Sequence, residues 1–107
     1  MMSKCSYIQE ARDKVHSGEF FLSHHAQVER GEEEITVDDI VACILNGTEL
    51  ESYPNDPRGE SCLIVGKDNR DQWLHVVCGA FREGHLLIIT VYRPQLPKWS
   101  DPFTRSK

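Results

Sequence analysis

Apolar residues recur every three or four positions in the first half of the chain and every second position in the second half, so helices are expected first and strands afterwards. Ile8, Ala11 and Val15 form one helical stripe. Ser6, followed three residues later by Gln9, has the spacing of a capping box, in which two side chains satisfy unpaired backbone N–H groups, and Ser17-Gly18 ends the segment. Phe20, Phe21 and Leu22 make a short apolar run. Ser23 then caps a short helix through Ala26 and Val28 to about Arg30, with His24 and His25 in its first turn. Thr36 with Asp39 is a second capping box ahead of Ile40, Val41, Ile44 and Leu45, and Asn46-Gly47 stops that helix.

From Thr48 the period of two predicts strands near 48–53, 61–67, 72–81 and 85–93, with a turn-rich loop from Tyr53 to Gly59. The expected architecture is one α+β domain over residues 1–107, with N-terminal helices packed on one face of a four-stranded antiparallel meander. A two-residue turn at Glu83-Gly84 sets Arg82 opposite His85, and counting back pairs Cys78 with Ile89, Val76 with Val91 and His75 with Tyr92. A four-residue loop, Asp68 to Asp71, pairs Lys67 with Gln72, Val65 with Leu74 and Leu63 with Val76. These counts place Leu63, Val65, Leu74, Val76, Cys78, Leu87, Ile89 and Val91 under the helices, and Ile64, Trp73, His75, Val77, Ile88, Thr90 and Tyr92 on the other side.

Composition narrows the class. At 107 residues and 12.3 kDa, with 39% apolar and 27% charged residues, the chain has the balance of an ordinary single domain. The longest apolar run, Leu86 to Ile89, is far short of the roughly 20 residues that cross a bilayer, so no membrane partner is expected. Met1 to Glu10 has no secretory apolar segment, which makes the cytoplasm the default compartment. Cys5, Cys43, Cys62 and Cys78 form no CxxC pair and read as small apolar side chains. The net charge of −5 hides an asymmetry: residues 1–57 carry 4 Lys and Arg against 12 Asp and Glu, giving −8, and residues 58–107 carry 8 against 5, giving +3. The acidic total disfavours nonspecific nucleic-acid binding, while the basic half leaves room for a local anion site.

The candidate chemistry sits on the side of the sheet away from the helices. An imidazole and a phenol, His75 and Tyr92, with the imidazoles of His24 and His25 at a helix start, suit the proton transfers of metal-free RNA cleavage. There the ribose 2'-hydroxyl attacks phosphorus and the 5'-oxygen leaves. Arg30, Arg93 and Lys98 are the cations available for phosphate, and Trp73 and Trp99 the rings available for base stacking. Each residue also has a plainer reading: His75 as a structural histidine, the paired histidines as cap and solvated side chain, Arg30 as a surface charge, the aromatics as an apolar ledge under the C-terminal tail. No HExxH, no ligand-spaced carboxylate pair and no glycine-rich phosphate loop accompanies them, so no metal or cofactor is expected.

Ser23-x-His25-Ala26, Ile35-Thr36, Tyr53-Pro54-x-Asp56, Ser61-Cys62-Leu63, Leu74-His75-Val76-Val77, Thr90-Val91-Tyr92-x-Pro94 and Lys98-Trp99 together resemble the prokaryotic domain-of-unknown-function family numbered 4258. The resemblance runs from about Phe20 to Arg105. It implies a RelE-like fold of the barnase, EndoU, colicin and RelE superfamily, a metal-independent endoribonuclease of toxin type, RNA as substrate and a cognate antitoxin as partner. By position it implies His25, His75, Thr90 and Tyr92 as site residues. Where the family pattern has two arginines after the His-Ala pair, this chain has Glu29 and Glu33, with Arg30 displaced by one position, about 100° around a helix. Two cations are thereby lost from an anion site. The competing expectation is a noncatalytic protein- or RNA-binding module on the same fold, using the aromatic and basic sheet face.

Overall fold

The first helix, α1 (Ile8–Ser17), turns Ala11 and Val15 inward at the spacing seen in the sequence and stops at Gly18, whose φ of +80° only glycine adopts without strain. In the computed structural model residues 8–106 are described, so the Ser6 cap lies outside the described residues. Strand β1 (Phe20–Leu22) leads into helix α2 (His24–Glu32), which opens on Ser23: its side chain accepts from Ala26 N–H at 3.0 Å. Helix α3 (Val37–Asn46) carries the full Thr36/Asp39 capping box and buries Ile40, Cys43 and Ile44. Strands β2 (Thr48–Tyr53), β3 (Ser61–Lys67), β4 (Trp73–Arg82) and β5 (His85–Tyr92) form the antiparallel meander within a residue of the expected bounds. No helix among the described residues is long and apolar enough to cross a membrane.

The sheet has five strands and is mixed, in the order β1-β5-β4-β3-β2, where four antiparallel strands were expected. Strand β1 is the addition and runs parallel to β5. Three apolar residues are too few to display a period of two, and their partner lies far along the chain, so only tertiary pairing reveals the strand. The Glu19 carbonyl accepts from Leu86 N–H at 3.0 Å, and Ser23 N–H donates to the Ile88 carbonyl at 2.9 Å.

Register departs from the simple count in two places. Trp73, not Gln72, faces Lys67, so every β3 pairing slips by one, giving Val65 with His75 and Leu63 with Val77. The cause is Asp68, whose buried carboxylate accepts from Arg70 N–H (2.8 Å) and Gln72 N–H (2.9 Å) and widens the loop by one residue. Cys62 and Ile64 therefore take the helix side, and Leu63 the opposite side. In β5, an extra residue at Ile89 changes the expected Cys78–Ile89 pair to Cys78–Ile88 and turns Leu87 and Ile89 away from the helices. A compensating extra residue in β4, between Gly79 and Arg82, restores Arg82 opposite His85. The two shifts cancel, so Val76–Val91 and His75–Tyr92 stand as counted.

The end of α3 touches β3 through two glycines. A Cβ on Gly66 would lie 2.5 Å from the Cys43 carbonyl oxygen and 3.0 Å from the Gly47 Cα, so helix and strand meet there backbone to backbone. Gly66→Ala is expected to cost about 3 kcal/mol in urea unfolding, because neither backbone can yield. Gly31→Ala, in α2 with open space around the added methyl, is expected to gain about 0.5–1 kcal/mol in the same measurement.

Candidate functional site

The His75–Tyr92 pair exists as counted, and it is closed. His75 Nδ1 lies 3.1 Å from the Tyr92 hydroxyl and Nε2 lies 2.7 Å from the Pro102 carbonyl oxygen, with the imidazole 0% exposed. A carbonyl can only accept, so Nε2 carries the proton, Nδ1 is the acceptor, and Tyr92 O–H is the donor. This arrangement describes a neutral imidazole. Burial pushes the His75 pKa below its ordinary value, more than the Pro102 carbonyl and the Glu51 charge restore, with Arg105 adding to the depression. Burial also raises the Tyr92 pKa.

The cover is the C-terminal segment, in which β6 (Trp99–Asp101) and β7 (Thr104–Arg105) form a small hairpin. Trp99 is buried edge-on against His75, ring centroids 4.5 Å apart, and Tyr92 meets the same imidazole edge-on at 5.1 Å. Arg105 fastens the hairpin by bonding both oxygens of Glu51 in β2, at 2.7 and 2.8 Å, and its guanidinium lies 4.7 Å from the Trp99 ring centre. The Tyr53 hydroxyl donates to the same Glu51 at 2.6 Å. Arg105 holds the Glu51 carboxyl below its usual range, and burial raises the Tyr53 phenol. The aromatic and basic sheet face expected to meet a partner is thus already occupied by the chain itself.

A second group of the expected residues meets at α2. Glu29 bridges His25 and Thr90: one carboxylate oxygen is 3.2 Å from His25 Nε2, and the other accepts from the Thr90 hydroxyl and, at 3.0 Å, from Val91 N–H. Glu33 accepts from Arg93 N–H at 3.0 Å, and Ser23 Oγ donates to the Ile89 carbonyl at 2.7 Å. Glu29 and Glu33 therefore close the open edge of β5 beyond β1. His25, Glu29 and Glu33 are spaced four apart, one helical stripe, and that spacing was the available signal for their shared role. His25 itself is exposed, and the structure places it against Glu29 rather than beside the buried His75.

The cations do not converge. Arg30 bends back onto Gln27 Oε1 (2.9 Å) and the Ile35 carbonyl (3.3 Å), and Arg93 pairs with buried Asp68 at 2.9 Å. Lys98 is exposed on the C-terminal segment. Trp73 packs edge-on to Phe103 at 5.1 Å with Lys67 4.9 Å from its ring centre. Most remaining cations of the basic half are also engaged: Arg58 with Asp56, Lys67 with Asp71, Arg82 with the Arg58 carbonyl. Two clefts, of about 280 and 330 Å³, are walled by other residues than His25, His75 or Tyr92. Glu32, Glu34 and Asp38, by contrast, are exposed on and between α2 and α3 or lie at their ends, with no cation at pairing distance among the described residues.

The model of the family described as Domain of unknown function (DUF4258) matches residues 22–93 of this chain. No curated protein and no solved structure matches.

The neutral, buried His75 ties stability to pH. Because its folded pKa lies below the unfolded value near 6.5, the unfolded chain binds more protons, and stability is lost as pH falls below about 6.5. Stability is expected to fall as pH falls, with a slope of at most about 1.4 kcal/mol per pH unit, the limit for one proton. Carboxylates act later: Asp56, held at about 2 by Arg58, loses its contribution only below its ordinary value near 4. Urea unfolding between about pH 7 and 5 is expected to show this slope in the wild type and a flattened one in His75→Phe.

Proposed function

Since the chain belongs to the DUF4258 family, a membership that assigns no activity, we propose from the site geometry that it is a noncatalytic interaction module whose acidic helical face docks a basic protein surface. One observation carries the reading: the imidazole best placed for acid–base work is fully buried with both nitrogens engaged. General acid–base catalysis needs a nitrogen within hydrogen-bond reach of substrate, and His75 offers none in this arrangement. Stabilising a phosphorane needs cations at one point, and Arg30 and Arg93 are turned to other partners.

What faces solvent instead is negative. Val28 is 45% exposed, and with Glu32 it lies one turn apart on the outer stripe of α2; Glu34, Asp38 and the 42% exposed Leu45 continue the surface onto α3. Unpaired carboxylates around scattered apolar side chains suit a partner carrying Lys and Arg, with charge setting orientation and encounter rate.

A hydrolytic reading has one observation in its favour. His25 is accessible, buttressed by Glu29, and Glu29 also holds Thr90, two residues from half-buried Tyr92. Under that reading His25 is the base of a metal-independent endoribonuclease.

Purified protein incubated with single-stranded RNA, with and without EDTA, is expected to leave it intact. It is expected to bind a Lys- and Arg-rich peptide with an affinity that falls as salt rises. The triple variant Glu32→Lys, Glu34→Lys, Asp38→Lys is expected to weaken that binding about tenfold, from three contacts of about 0.5 kcal/mol each. RNA fragments ending in 2',3'-cyclic phosphate, produced by wild type and lost in His25→Ala, would replace this reading with the hydrolytic one.

A further inference from the structure

The two edges of the sheet are treated differently. At one end, β2 is bulged between Glu49 and Glu51, carries those two carboxylates, and has Glu51 tied to the C-terminal hairpin, features that discourage strand addition. At the other end, β1 is unbulged, apolar and, among the described residues, without a strand neighbour on its outer side. Its central residue, Phe21, is 43% exposed, one of the most exposed large apolar side chains among the described residues. The ring is not loose: it lies 6.0 Å from the His85 ring at 32°, so docking against it costs little side-chain entropy.

Backbone direction fixes what this edge accepts. The Glu19 carbonyl and the Ser23 N–H both point at β5, and strand groups alternate with a period of two, so Phe21 also points at β5. Phe20 and Leu22 then offer their N–H and C=O groups outward. An antiparallel second β1 with a two-fold axis through Phe21 sets Phe20 opposite Leu22 of the other copy, and Leu22 opposite its Phe20. Each of these pairs exchanges two backbone bonds, about four in all. Phe21 faces its own counterpart as a non-hydrogen-bonded pair, where Cα atoms approach to about 4.5 Å and side chains touch most closely. Glu19 falls opposite Ser23 of the other copy, beside the exposed imidazole of its His24, so carboxylate does not meet carboxylate. The segment is self-complementary in backbone valence, ring contact and charge, which is the requirement for an isologous contact.

We propose that the β1 edge is a homodimerisation surface, pairing β1 with β1 of a second copy of this chain in antiparallel register about Phe21 and joining the two sheets into one. The proposal uses no acidic side chain of the outer helical face and is independent of the binding function assigned to that face.

Sedimentation velocity of the full chain from micromolar to sub-millimolar concentration tests it. Wild type is expected to shift from monomer to dimer, and Phe21→Lys to remain monomeric with an unchanged circular dichroism spectrum and melting temperature, since the side chain is exposed. Phe21→Cys in a Cys5→Ser background supplies a second readout. With glutathione disulfide as oxidant, the two introduced thiols of a dimer are expected to form one interchain disulfide, with two glutathione thiols released. A wild type that stays monomeric throughout, or a dimer that survives Phe21→Lys, would overturn the proposal.

Discussion

The outer edge of β5 is the constraint around which the N-terminal half is arranged. A strand in mid-sheet must have its N–H and C=O groups met on both sides, and β4 serves only one of them. Three kinds of group complete the other: the backbone of β1 as far as Leu22, the Ser23 backbone N–H and hydroxyl, then the carboxylates of Glu29 and Glu33. Because one uninterrupted stretch supplies all of them, the path from β1 into α2 is fixed along the full length of β5. Ala26, on the inner side of that helix, is driven into the core as a result.

That constraint also decides what the site is made of. A glutamate whose oxygens accept from a strand N–H and a threonine hydroxyl and lie 3.2 Å from an imidazole is committed to the sheet edge, which leaves no room there for a cation. At these two positions, Glu29 and Glu33, carboxylates close a sheet edge. Arg58, Lys67, Arg93 and Arg105 of the second half are held in ion pairs, while the exposed carboxylates of Glu32, Glu34 and Asp38, on and between α2 and α3, have no partner cation among the described residues.

Local signals were legible in the sequence and nonlocal ones were not. Capping residues act within three positions, so Ser23 and the Thr36/Asp39 box could be placed from spacing alone. The Glu83-Gly84 hairpin could be counted because its residues adopt the positive φ values, 51° and 79°, of a two-residue turn. The Asp68 loop could not, because its extra residue is set by a carboxylate that reads as an ordinary turn residue until its bonds to Arg70, Gln72 and Arg93 are seen. One slipped residue exchanged the faces of β3, while β4 kept its own. The pairing of His75 with Tyr92 was correctly counted; its concealment stood in the sequence only as the plainer alternative of a ledge under the C-terminal tail, because no local spacing reveals that Trp99, Pro102 and Arg105 return over the sheet.

Whether that concealment is permanent turns on what uncovering it costs. Lifting the C-terminal hairpin exposes Trp99, worth about 3 kcal/mol, and breaks the His75 hydrogen bond to the Pro102 carbonyl, worth about 1 kcal/mol. The Arg105–Glu51 pair, partly exposed, adds little. A total of about 4 kcal/mol leaves the open form at about one molecule in a thousand. Any ligand that works through His75 has to supply that difference from contacts made only in the open form, since a ligand indifferent to the hairpin shifts nothing. Only a large surface, a partner replacing Trp99 with an aromatic side chain of its own, offers contacts on that scale; a single phosphate group does not. The geometry that hides the imidazole therefore favours recognition of a macromolecule over chemistry on a small group.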